Sequence, residues 1–321
     1  MGRDNDLDAC LLARFAGPQV PDWLLRWLDD GLGGVLLFAG NITGPGQLRD
    51  LVATLREHNP DVLVAADEEG GIVTRLEAGA GSSFPGNGSL GAIADLTLTR
   101  RIAADIGAML AAAGINLDLA PVADVDSNPA SLVIGVRSFG SDPGLVAAHT
   151  AAFVTGLQSV GVAACAKHWP GHGRASADSH LELPVVHATL AELRATDLVP
   201  FAAAIEAGVC AVMTAHVVYP AVDSQPATLS ATWLAGVLRQ ELGFGGVIIT
   251  DALEMAAIGD DAERADGAVR SLAAGADLLC LPAGLDAQLH ARAALAEALA
   301  DGVIPAPRVA EAAARVRTLA A

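Results

Sequence analysis

The stretch from Lys167 to His187 reads KHWPGHGRASADSHLELPVVH and holds four of the chain's eight histidines. Histidine titrates near neutrality, so such a concentration beside carboxylates marks a place where protons can be moved. Glycines and prolines exclude a regular helix here, and loop geometry must shape any site the stretch builds. Asp178 and His180 are one residue apart. In a tight turn that carboxylate can hold the imidazole's tautomer and stabilise its protonated form. His168 and His172 are four apart, but without a helix this spacing carries little information about ligands. A second reactive candidate is Asp251, which follows the apolar run GVIIT and opens DALEM, where Glu254 and Met255 read as helical. Aspartate at a strand-to-helix junction can be an N-cap or a reactive carboxylate, and spacing alone leaves both open.

The elements that must position these groups are eight short runs rich in Val, Ile, Leu and Ala, at 7–13, 34–38, 62–66, 115–120, 162–167, 209–215, 246–250 and 276–281. Most are continuously apolar rather than alternating, the pattern of parallel strands buried on both faces. Segments with helical periodicity lie between them. Asp142-Pro143 supplies an N-cap and N1 proline, and Thr189 with Glu192 forms a capping box. Gly208 ends the second of these helices, which Pro200 should kink, and Ser230 opens another that Gly243 can close. Parallel strands with helical crossovers predict a single (β/α)8 TIM-type barrel over residues 1–321. An open doubly wound sheet is the rival, although no GxGxxG opens any strand-to-helix turn.

In such a barrel the strands' C-terminal ends carry the site. Polar residues fall there repeatedly: Asp67-Glu68-Glu69-Gly70-Gly71 with Arg75, then Asp124, Asp126 and Arg137, then Lys167-His168, His216 and Asp251. Only 17% of the chain is charged, so this placement is more than ordinary rim polarity.

Composition bounds the function. Hydrophobic residues make up 52% of the chain, enough for a large core, and no apolar run approaches the roughly 20 residues of a membrane span. A net charge of -18 excludes a phosphate-backbone partner, so no nucleic acid and no membrane are expected. Cys10, Cys165, Cys210 and Cys280 lie far apart in apolar runs and read as small buried hydrophobes. The acidic N-terminus has no basic, long-apolar signal pattern, which reads as cytoplasmic mature sequence.

Nearly the whole chain resembles the β-N-acetylglucosaminidase branch of glycoside hydrolase family 3. The likeness rests on LFAGNI, DEEGGIVTRL, NLDLAPVADV, IGVRSFG, KHWPGHGRASADSHLELP, MTAHVVYP, PATLS and GVIITDALEM. KH-PGHG followed by D-S-H is highly specific to that branch. The resemblance implies a (β/α)8-like catalytic domain that retains configuration while releasing terminal β-linked N-acetylglucosamine, with muropeptides from peptidoglycan recycling as substrates and no cofactor. It casts Asp251 as nucleophile and His180 with Asp178 as the acid/base dyad. Asp67, Arg75, Arg137, Lys167 and His168 would hold the sugar's hydroxyls and N-acetyl group. Trp169 departs from the Phe or Ile of many relatives, and this length leaves no room for the sandwich domain of larger ones.

A histidine acid is chemically apt, because its ordinary pKa near 6.5 needs no burial to approach neutrality. Gly171, Gly173 and the small residues 175 to 177 predict a mobile loop that would bring His180 to the sugar. Three alternatives are weighed: phosphate replacing water as acceptor, a metal-dependent barrel using His168, His172, His180, Asp178 and His216, and a sugar-binding barrel without turnover. The partner expected in every case but the metal hydrolase is a small carbohydrate.

Overall fold

The computed structural model describes residues 3–128, 133–175, 183–253 and 261–321. Its centre is an eight-stranded parallel sheet. In chain order the strands are β1 (Leu11–Ala13), β2 (Gly34–Leu36), β3 (Leu63–Ala66), β4 (Leu117–Asp118), β5 (Ala163–Trp169), β6 (Ala211–Thr214), β7 (Val247–Ile249) and β8 (Leu279–Cys280). Each pairs with its sequence neighbour, and β8 pairs with β1. A parallel bridge between Ile249 and Leu278 closes the ring. The protein is therefore a (β/α)8 barrel, and closure rules out the open doubly wound sheet.

Each of the eight apolar runs coincides with a barrel strand, the fifth strand running two residues past its run, for the reason their composition implies. Leu12, Leu63, Leu117, Cys165, Ala211 and Val247 point into the barrel and form one buried cluster. Their alternates Leu11, Val64, Ala164, Val212 and Ile248 face outward and are also completely buried under the helices. With water excluded from both faces, no polar alternation survives. The first run is longer than its strand, because Leu7, Asp8 and Ala9 belong to the helix Arg3–Ala9. Apolar composition does not distinguish a buried helical turn from a buried strand.

Local end signals act as their chemistry requires. Asp142 caps the helix Pro143–Gln158 by accepting from the Leu145 N–H at 2.7 Å. Thr189 and Glu192 form the reciprocal capping box of the helix Leu190–Ala195. Pro200 has the larger effect foreseen for a proline that cannot donate its own N–H: rather than bending one helix, the chain breaks and restarts as Val199–Glu206. Gly208 and Gly243 take the positive φ that ends a helix, at 79° and 68°. Ser230 accepts from the Trp233 N–H at 3.1 Å and opens Thr232–Glu241, which is wound in the wider π pattern. An antiparallel hairpin of Val218–Tyr219 with Asp223–Pro226 follows β6 and was not anticipated.

The barrel floor is closed by the helix Ala306–Ala320, whose Val316, Leu319 and Ala320 pack into the interior cluster. Fully buried Asp277 sits beside this plug and accepts from Arg239, Arg308 and Arg315. These groups serve stability rather than chemistry, as expected at the end opposite the site. Cys10, Cys165 and Cys280 are buried and Cys210 is partly so, and burial pushes the thiols of Cys10, Cys165 and Cys210 above the ordinary range. Among the described residues no helix is long and apolar enough to cross a membrane.

Candidate active site

The C-terminal strand ends surround a cavity of about 500 Å³. Arg14 after β1, Phe38 after β2, Asp67 and Glu69 after β3, Lys167 and His168 at β5, and Asp251 after β7 all line it. Arg75 and Arg137 reach it from the connections that follow β3 and β4. Five candidates read from the sequence as sugar-holding, together with the candidate nucleophile, thus meet at one mouth. Asp178 and His180 lie outside the described residues, as does the helix start read at Glu254 and Met255.

Alternation along the chain explains the first cluster. Asp67 and Glu69 continue the two-residue period of β3, so both side chains turn toward Lys167 while Glu68 turns away. Lys167 Nζ, only 2% exposed, donates to Asp67 Oδ1 at 2.8 Å and pairs with Glu69 Oε1 at 2.7 Å. Arg75 donates to Asp67 Oδ2 at 2.9 Å. Arg137 grips Glu69 with both Nε and Nη2, at 2.9 and 2.7 Å. Burial opposes ionisation of Asp67 and Glu69, but the surrounding cations outweigh it and hold both carboxyls below their ordinary pKa. Burial likewise works against the Lys167 charge, and the two carboxylates overcome it, raising its pKa.

Glu68 has a different task. Its Oε2 accepts the backbone N–H groups of Arg75 and Leu76 at 2.9 and 3.1 Å, which returns the connection so that Arg75 faces Asp67. The return passes through Gly70 and Gly71 at φ 78° and 61°. A Cβ on Gly71 would stand 2.7 Å from Gly86 Cα, so both space and conformation demand glycine there.

The second cluster is built on Asp124, which is completely buried. It accepts from the His172 backbone N–H at 2.6 Å and lies 2.7 Å from His168 Nδ1. Burial alone would favour the neutral acid, yet the two histidines keep Asp124 below its usual pKa. An ionised carboxylate can only accept, so His168 Nδ1 carries the hydrogen and Nε2 is left as the second polar atom of the ring. His168 and His172 stand edge to face with centroids 6.2 Å apart, and no helix joins them.

Asp251 is half-buried and accepts the Ala252 N–H at 2.8 Å through Oδ1. Ala252 and Leu253 after it are non-helical.

The glycines after β5 stand where other connections come close, and residues 176 and 177 of the expected mobile loop lie outside the described residues. A Cβ on Gly173 would lie 1.8 Å from the Val125 carbonyl oxygen, and one on Gly171 2.9 Å from Asp197 Cβ. Arg174 is tied to Asp197 and Thr196 at 2.7 Å each, and the Tyr219 hydroxyl donates to the Gly171 carbonyl. Residues 171–175 form a pinned base.

Glu69, Asp124, His172, Phe38 and Arg14 also belong to the site; in the sequence Glu69 and Asp124 stand at strand ends without an assigned role and His172 enters only the metal alternative, while Phe38 and Arg14 were missed. Arg14 directly follows β1, Phe38 comes two residues after β2, and Glu69 is in phase with Asp67, so the strand-end rule contained a signal for each. Phe38 lies beneath two guanidinium groups, 4.3 Å from Arg14 and 5.4 Å from Arg75. Among the described residues, no group of three or more His, Cys, Asp or Glu has an arrangement fit for a metal ion.

A parallel barrel whose mouth combines one carboxylate outside the paired cluster with cation-paired carboxylates is suited to polyhydroxylated substrates. The chain belongs to glycosyl hydrolase family 3, whose N-terminal domain matches residues 23–319, and it is accordingly a glycoside hydrolase. It is 44% identical over 254 residues to a Pseudomonas aeruginosa protein named Beta-hexosaminidase, covering 77% of this chain and 74% of that one. Another protein of that name, from Stenotrophomonas maltophilia, is 40% identical over 291 residues, 88% of this chain and 86% of its own. Among solved structures it is similar to a family 3 β-N-acetylglucosaminidase from Paenibacillus sp. str. FPU-7, with a TM-score of 0.96 and 40% identity. That likeness covers 99% of this chain but 62% of the Paenibacillus chain, less than two thirds. NagZ from Neisseria gonorrhoeae, solved with N-trifluoroacetyl-D-glucosamine, gives a TM-score of 0.81 at 33% identity over 97% of this chain and 98% of its own.

Proposed function

We propose that this chain is a retaining β-N-acetylglucosaminidase, a single catalytic barrel over residues 1–321 that needs no cofactor. The observation that carries the reading is the shared cavity: Asp251 lines the same mouth as the Asp67, Lys167, Glu69 and Arg137 network. The names of the hexosaminidase relatives and the N-acylated glucosamine in the Neisseria structure support the substrate class. They also favour hydrolysis over phosphorolysis.

In this mechanism the Asp251 carboxylate attacks the anomeric carbon from the face opposite the aglycone. The bond from carbon to the leaving oxygen breaks as His180, held by Asp178, delivers a proton to that oxygen. The product of this half-reaction is a glycosyl ester on Asp251. Neutral His180 then takes a proton from water, the resulting hydroxide displaces Asp251 from the sugar, and N-acetylglucosamine leaves with its original configuration. Asp67, Lys167, His168, Arg75 and Arg137 hold the hydroxyls and the N-acetyl group. Hydrogen-bonding sites of this kind discriminate well, because a missing partner leaves buried groups unsatisfied. The natural substrates we propose are muropeptides from peptidoglycan recycling, cleaved in the cytoplasm.

The deciding experiment is to trap the intermediate with a 5-fluoro N-acetylglucosaminyl fluoride and map the labelled peptide. A label on Asp251 supports the reading, and a label elsewhere rejects it. In parallel, p-nitrophenyl N-acetylglucosaminide should be turned over far faster than the glucoside, and the reverse preference would reject the substrate class. His180→Ala should slow poor leaving groups by about 10²-fold or more and spare the glycosylation step with activated aryl glycosides, since only the former need protonation. Equal losses on both would remove the acid role.

A further inference from the structure

We infer that His216 is a positioning residue for the nucleophile, acting through the peptide that follows Asp251. This inference rests on the assignment of Asp251 as nucleophile and concerns what holds that carboxylate in place.

His216 follows β6 and is completely buried, as are Thr214 and Thr228 beside it. Its Nε2 lies 3.0 Å from the Ala252 carbonyl oxygen, and its Nδ1 lies 2.8 Å from Thr228 Oγ1. Thr228 Oγ1 is in turn 2.8 Å from Thr214 Oγ1. A carbonyl can only accept, so the ring hydrogen must sit on Nε2. The Thr228 hydroxyl donates to the Ala215 carbonyl at 3.0 Å, and its oxygen stands against Nδ1, so this contact holds the ring in place while the Ala252 carbonyl fixes the hydrogen on Nε2. Thr214 donates to Thr228. The buried threonines thus seat the ring whose Nε2 grips residue 252.

Residue 252 touches the nucleophile. Its N–H donates to Asp251 Oδ1 at 2.8 Å, so Ala252 is held by its carbonyl on one side and orients the carboxylate with its amide on the other. The next residue is fixed as well, because the Leu253 N–H donates to the Cys280 carbonyl at 3.1 Å. Residues 251–253 are thus non-helical and anchored by neighbours from β6 and β8. In-line attack tolerates little angular error. Loosening the grip on residue 252 should therefore reduce the rate of the chemical step and leave ground-state sugar binding largely unchanged.

The test uses the full chain with p-nitrophenyl N-acetylglucosaminide. His216→Leu keeps the volume and removes the donor, whereas His216→Gln restores an N–H near the former Nε2. The leucine variant is expected to lose about 10²-fold in kcat with KM within about threefold, and glutamine to recover most of that loss. Unchanged kcat, a loss carried by KM, or glutamine no better than leucine would each overturn the inference. Should the leucine variant not fold, Thr228→Val decides the matter. It preserves shape and removes the hydroxyl, and a several-fold drop in kcat at constant KM supports the inference while wild-type kcat overturns it. Asp251→Asn is measured alongside. If it keeps wild-type activity the nucleophile assignment itself falls, whereas an inactive Asp251→Asn with fully active His216→Leu removes only the role given to His216.

Discussion

Asp251→Ala is expected to reduce kcat on p-nitrophenyl N-acetylglucosaminide by about 10⁴-fold or more while leaving the melting temperature nearly unchanged. The carboxylate is half-buried and its hydrogen bond from Ala252 is local, so removing it disturbs neither the barrel core nor the paired charges on β3 and β5. The chemical loss is large because no glycosyl ester can form, and water would have to attack without an assembled base on that face. A further outcome separates a missing nucleophile from general damage. Alanine leaves space for a small anion, and added azide should restore turnover. Azide would attack once from the face Asp251 vacated, expel the aglycone and give the α-glycosyl azide, opposite in configuration to the substrate. A variant within tenfold of wild type, or one in which azide gives the β product, would remove Asp251 from the mechanism. NMR of the product decides the configuration.

The second large effect is expected at Lys167, and it reaches stability as well as catalysis. Lys167→Met replaces the buried ammonium with an uncharged chain of similar length. Asp67 keeps Arg75 and Glu69 keeps Arg137, but the cation that joins the two carboxylates is gone. Removing one partner from a buried ionic network costs about 3 kcal/mol, because the remaining charges stay desolvated. We expect that loss in denaturant titrations, together with a drop in kcat/KM on the order of 10³-fold as the sugar-holding groups lose their alignment. A melting temperature and a kcat/KM both close to wild type would show the network to be dispensable.

The pH dependence of that stability difference follows from the directions of the shifts. Asp67 and Glu69 have pKa values below their ordinary 3.8 and 4.5, so their contribution is present above those values and is lost as pH falls through the depressed ones. Lys167 is shifted above its ordinary 10.5, so its contribution is complete below that value and is lost as pH rises through the raised one. The gap between wild type and variant should therefore be flat from about pH 5 to pH 10 and narrow at both extremes.

Much of this molecule was legible from the order of its residues. The eight strands could be located because a parallel barrel buries both faces of each one, which turns strands into unbroken apolar runs. The caps at Asp142, Thr189 and Ser230 could be read because each bonds to backbone three residues away. The polar residues of the mouth could be collected in advance because barrel geometry sends every strand end to the same place.

What the residue order did not contain is who pairs with whom. Lys167 meets Asp67 across 100 residues, and Arg137 meets Glu69 across 68. Glu69 and Asp124 gain their meaning only through those distant partners. The close approaches at Gly171 and Gly173 could not be read in advance, because the groups they spare, Asp197 and the Val125 carbonyl, come from other connections. His216 likewise acquires a role only where the end of β6 lies beside the end of β7. Composition and local periodicity determine which segments are buried and where they end, since those depend on neighbouring residues. The alignment of charges and of the nucleophile's peptide is decided by closure of the barrel, which alone brings remote strand ends within hydrogen-bonding distance.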